Sequence, residues 1–123
     1  MKITINDHKK IYNIQEEFNT VFPYLKLEFF SKFNNPEDKS IKNFVKKNNN
    51  TLGECRTIQN IGKIAITPTM TVFELEQSFT NIYGLGIQVF RKSGKIWLEA
   101  TITEDWTLEE QNKQGEDLCK VDE

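Results

Sequence analysis

The chain carries one arrangement of apolar positions twice. Ile11, Ile14, Phe18, Val21 and Phe22 fall at i, i+3, i+7, i+10 and i+11, and Val72, Leu75, Phe79, Ile82 and Tyr83 repeat that arrangement 61 positions later. A period near 3.6 stacks such side chains on one side of a helix, so the spacing predicts helices over about 8–21 and 72–83. Alternating runs flank each stripe: Ile3-Thr4-Ile5 and Leu25-Lys26-Leu27-Glu28-Phe29 around the first, Ile64-Ala65-Ile66 and Ile87-Gln88-Val89-Phe90 around the second. Alternation places every second side chain on the same face, which predicts strands at about 2–6, 24–31, 63–67 and 86–92. The chain therefore reads as an internal duplication of a strand–helix–strand unit.

Local signals set the ends. Asn6 or Asp7 is expected to cap the first helix, and Pro23 stops it because proline pushes residue 22 out of helical geometry. Thr71-Val72-Phe73-Glu74 has the form of a capping box, with Met70 placed to staple onto Leu75, and Gly84 and Gly86 supply the left-handed exit. Ser93-Gly94 reads as a two-residue turn into a fifth strand at about 95–102, with Phe90 opposite Trp97, Val89 opposite Leu98 and Gln88 opposite Glu99. Thr107-Leu108-Glu109-Glu110 is a further capping box and starts a tail helix whose apolar side is thin, chiefly Leu108 and Leu118 with Gly115 between them.

Together these elements predict one α+β domain over residues 1–123 with a ferredoxin-like split βαβ plan. Both helices would lie on one side of a four-stranded sheet, extended by the hairpin strand, with a C-terminal tail at 103–123. The departure from that plan is the connection at 32–62, rich in Asn, Lys and Ser, where a short hairpin is usual. Asn34-Asn35-Pro36 and Asn48-Asn49-Asn50 break it; a short helix with Ile41, Phe44 and Val45 is expected between them, and Thr51-Leu52-Gly53-Glu54 has the capping-box form for one more turn.

Composition adds exclusions. With 37% hydrophobic, 28% charged and 11% aromatic residues and a net charge of −2, the chain offers no overall attraction for phosphate backbones or anionic membranes. No apolar run approaches the roughly 18–20 residues of a membrane span. Cys55 and Cys119 lie far apart and outside any C-x-x-C, and no signal peptide is seen, so the expectation is a cytoplasmic protein with free thiols. His8 is the single histidine, which excludes a histidine-based triad or a multi-histidine metal site. No metal or cofactor is expected.

On the outer face of the expected sheet, Phe30, Phe90 and Trp97 stand among Lys26, Glu28, Gln88, Lys92 and Glu99. Aromatic side chains on an uncovered sheet call for an explanation. Either Trp106 and Leu108 of the tail fold back over them as a second small core, or these residues together receive a partner chain or a second copy. Lys32, Lys39, Lys42, Lys46 and Lys47 form a local basic patch, read as a solvated loop or as a nucleic-acid or small-anion site. RNA-recognition domains of split βαβ plan stack bases on aromatics of the central strands; here those positions are Lys2, Thr4, Lys63, Ala65 and Thr67, which argues against that use. Cys55 beside Arg56 is the one candidate nucleophile, with no histidine or second cysteine in sequence reach. The acidic pairs Glu104-Asp105 and Glu109-Glu110 fit helix capping, and Gly84-Leu85-Gly86 ends a helix where a phosphate loop would open one.

The stretch Gly84-Leu85-Gly86-Ile87-Gln88-Val89-Phe90-Arg91-Lys92-Ser93-Gly94, then Trp97-Leu98 and Asp105-Trp106-Thr107-Leu108-Glu109-Glu110-Gln111-Asn112, resembles a family of small uncharacterised bacterial α/β proteins, over nearly the whole chain. The resemblance implies no activity, ligand or catalytic residue. The leading expectation is a non-enzymatic protein-interaction module using the outer sheet face and the tail. Anion or nucleic-acid binding through the basic connection comes second, and an enzyme centred on Cys55 last.

Overall fold

The computed structural model describes residues 1–30, 50–54 and 61–121. The expected helix at 41–45 lies outside these residues. In chain order the elements are β1 (Lys2–Ile5), α1 (Ile11–Val21), β2 (Leu25–Phe29), a 3₁₀ turn (Leu52–Glu54), β3 (Gly62–Ala65), α2 (Val72–Tyr83), β4 (Ile87–Ser93), β5 (Ile96–Glu99) and α3 (Leu108–Val121).

The class is α+β. The described strands fall into two antiparallel sheets, β1-β3 and β2-β4-β5, and not into the one sheet that the ferredoxin-like plan requires. The reason lies at the free edge of β2. Gln15 Nε2 donates to the Leu27 carbonyl at 2.8 Å and Asn19 Nδ2 to the Leu25 carbonyl at 2.9 Å, so amides from α1 occupy that edge and leave no ladder for β3 to join.

The duplication organises both sheets. Ile3 pairs directly with Ile64, its counterpart in the second unit, and Leu27 pairs directly with Val89, the matching position of the second flanking strand. Equivalent residues opposed in antiparallel strands relate the two units by a pseudo-twofold. Burial repeats as well: the first, second, third and fifth stripe positions are buried in both units, while Val21 and Ile82, both at the fourth, are about half exposed. Ile3, Ile5, Ile64 and Ile66 complete one core with Leu25, Leu27, Phe29, Ile87 and Val89, where Phe29 meets Phe79 edge to face at 6.1 Å.

Two local expectations are corrected. The cap of α1 is Lys10, with no side-chain hydrogen bond. Asn6 Oδ1 accepts the N–H groups of His8 and Lys9 in a turn ahead of the helix, and Ile11 N–H donates to the Asn50 carbonyl. The hairpin turn is Gly94-Lys95, with Ser93 paired to Ile96, Lys92 to Trp97, Arg91 to Leu98 and Phe90 to Glu99. Gly94 has φ 62° and no non-glycine residue among those described has positive φ, so the glycine takes the first central position of the turn and moves the partners on by two. A shift of two preserves the faces.

At its start α2 follows expectation: Thr71 Oγ1 accepts Glu74 N–H at 3.1 Å, and Gly84 closes the end at φ 63°. Its N-terminus interlocks with that of α3. Val72 and Phe73 donate to the carbonyls of Trp106 and Glu104, while Leu108 and Glu109 donate to those of Met70 and Pro68. Each helix start thus satisfies backbone donors that the other would otherwise leave open. Farther along, α3 crosses β2 and β4 at Gly115, where an added Cβ would lie 2.8 Å from Tyr24 Cβ and 3.2 Å from the Lys92 carbonyl oxygen.

Candidate functional site

Cross-strand register assembles the outer face of β2-β4-β5. Lys26 lies opposite Phe90 and Lys92 opposite Trp97, so the two ammonium groups meet the two rings. Lys26 Nζ is 5.4 Å from the Phe90 centroid and 4.9 Å from the Trp97 centroid, and Lys92 Nζ is 5.8 Å from the latter. These are cation–π distances. Lys26 also pairs with Glu28 at 3.5 Å.

Between this face and α1 runs an open cavity of about 340 Å³. From the helix Tyr12, Gln15, Glu16 and Asn19 line it; from the sheet come Lys26, Leu27, Glu28 and Trp97. The helical spacing is what brings the first set here: Tyr12, Glu16 and Asn19 lie at i, i+4 and i+7, on the side away from the buried stripe. Tyr12 is an exposed aromatic on one wall, Trp97 is half-buried on the other, and Glu16 is an exposed carboxylate with no ion pair among the described residues.

The structure treats the residues singled out in the sequence unequally. Trp97 lines the cavity and Phe90 supports it beneath Lys26. Phe30 is half-buried against Gly86, where a Cβ would approach its ring to 2.8 Å. Trp106 is on the other side of the sheet, 5.8 Å over the Arg91 guanidinium, and Arg91 pairs with Leu25 and Leu98 on the core-facing side. Leu108 is 0% exposed and belongs to the main core. The tail therefore does not fold over the outer aromatics, and these two residues offer that face nothing. Lys32, Lys39, Lys42, Lys46, Lys47 and Cys55 lie outside the described residues. His8 is exposed.

Three features, one in the cavity and two on α3, escaped the sequence. Tyr12 reads as an off-stripe aromatic, and its meeting with Trp97 needs the cavity to be seen. Gln111 is 0% exposed: its Nε2 donates to the Thr103 carbonyl and hydroxyl, each at 2.6 Å, and its Oε1 accepts from Arg91 Nη1 at 3.1 Å. Spacing alone held that signal, because Leu108, Gln111 and Gly115 repeat the i, i+3, i+7 positions of the two apolar stripes. Titration is perturbed away from the cavity, on α3. There the hydrogen bond and charge of Lys120 lower the Glu116 carboxyl below its ordinary 4.5, and the same pair raises Lys120 above its ordinary 10.5.

Among the described residues no group of three or more His, Cys, Asp and Glu side chains is placed to hold a metal ion, and no helix is long and apolar enough to cross a membrane. No protein-family model, curated protein or solved structure matches the chain.

Proposed function

We propose that this protein is a non-enzymatic interaction module that seats a segment of a partner protein in the cavity between α1 and the outer sheet face. The observation that carries the reading is that Tyr12 and Trp97, from separate elements, line one open cavity of about 340 Å³. Aromatic side chains are the usual anchors of protein interfaces. Lys26 and Lys92 already hold the indole of Trp97, so little side-chain entropy is lost when a partner settles on it. With Lys26 committed to Glu28 and to ring faces, the exposed Glu16 suits a segment that carries a basic side chain beside an apolar one.

The test is affinity capture followed by calorimetry with whatever partner is recovered. Trp97→Ala and Tyr12→Ala should each weaken binding at least tenfold, Glu16→Lys should also weaken it, and Asp117→Ala on α3 should change nothing. A partner that binds both aromatic variants as tightly as the wild type sits elsewhere, and the reading fails.

A further inference from the structure

β5 ends its sheet, and no described strand lies beyond it. Ser93 and Ile96 flank the two-residue turn and Ala100 N–H donates to the Val89 carbonyl at 3.0 Å, so alternate residues 96, 98 and 100 direct their backbone groups to β4. The backbone N–H and C=O of Trp97 therefore point the opposite way, to the open side. Ile96 is 58% exposed and Leu98 42%. An edge carrying two exposed aliphatic side chains and no proline is a template for another strand.

We propose that the strand that pairs with this edge is β5 of a second copy, antiparallel and centred on Trp97. Antiparallel pairing opposes outward-pointing residues to outward-pointing residues, which leaves only registers that match 95, 97 and 99 among themselves. Centring on Lys95 or on Glu99 sets like charges against each other, and centring on Ile96 or on Leu98 sets neither Lys95 nor Glu99 against an opposite charge. Centring on Trp97 brings the turn residue Lys95 of each copy beside Glu99 of the other. On the reverse face Ile96 meets Leu98 of the second copy, twice. The four-residue strand with its adjoining turn residue Lys95 thereby complements itself in charge and in shape under a twofold, and two three-stranded sheets become one of six. So short an edge gives a small, reversible interface. The edge and the groove share Trp97, whereas Tyr12 belongs to the groove alone.

Sedimentation of the full chain over roughly 1 µM to 1 mM, where small interfaces dissociate, tests this. The wild type should show a reversible monomer–dimer equilibrium. Lys95→Glu and Glu99→Lys should each weaken it at least tenfold, the double variant should regain it, and an equimolar mixture of the two single variants should dimerise where neither does alone. Ile96→Lys should also abolish the dimer, and Tyr12→Ala should leave it intact, which separates this proposal from the groove reading. A wild type monomeric throughout, a dimer indifferent to Lys95→Glu or to Ile96→Lys, or a double variant and mixture that stay monomeric would each overturn the proposal. Circular dichroism of each variant confirms that a lost dimer is not a lost fold.

Discussion

Gly115 shows how one missing side chain sets a helix position. Read along the sequence it weakens α3, since glycine within a helix costs about 1 kcal/mol relative to alanine. In the fold it is buried where α3 touches the start of β2, and Tyr24 N–H donates to Asn112 Oδ1 at 2.9 Å one turn earlier. An added methyl would press on Tyr24 Cβ at 2.8 Å and on two backbone oxygens at 3.2 Å, none of which is the end of a flexible side chain. Overpacking of this kind costs about 1–3 kcal/mol, more than the propensity gained. Gly115→Ala should therefore lower stability in chemical denaturation, and a variant more stable than the wild type would show that α3 has room to move. The same residue marks where the sequence was readable. Positions 108, 111 and 115 carry the spacing of the two strong stripes, but leucine, glutamine and glycine there do not look like a buried face. Gln111 is legible only once Thr103 and Arg91 are seen to satisfy its amide, because an amide without such partners stays in water.

Among the elements, the capping boxes were legible because their chemistry is local. Thr71 and Thr107 each accept the N–H three residues on, at 3.1 Å, and Glu110 Oε1 in turn accepts Thr107 N–H at 3.2 Å. The start of α1 was not legible, because its first donor is satisfied by Asn50, distant in sequence. Nor was it visible that the two threonines form a β-bridge with each other, so that each helix start braces the other. Loss of one cap costs about 1 kcal/mol, and residues that share a network do not add. Thr71→Ala and Thr107→Ala should each destabilise by about 1 kcal/mol, and the double variant should depart from their sum by about 0.5 kcal/mol or more. Additive losses in a denaturant double-mutant cycle would mean that the two starts act separately.

For the whole molecule, duplication fixed the parts list and left the assembly open. Two copies of a strand–helix–strand unit allow several ways to pair four strands, and the choice depends on an edge that Gln15 and Asn19 close from α1. The third helix then decides whether the assembly holds. Its Leu108 joins the main core, its Gln111 anchors Arg91 from β4, and the residues before it supply carbonyls to the first N–H groups of α2. Removing residues 103–123 would delete the buried Leu108, strip acceptors from the start of α2 and leave the Arg91 guanidinium without Gln111 and the Trp106 ring. Buried donors left unsatisfied cost about 1–3 kcal/mol each, and a buried leucine lost with its cavity about 2–5 kcal/mol, against a total stability of about 5–15 kcal/mol for a domain. The chain ended after Ile102 should therefore lose cooperative thermal unfolding and the amide dispersion of a folded core. A truncated chain that melts as sharply and as high as the full one would show α3 to be an appendage, and the outer face, which α3 leaves uncovered, would then have to be explained without it.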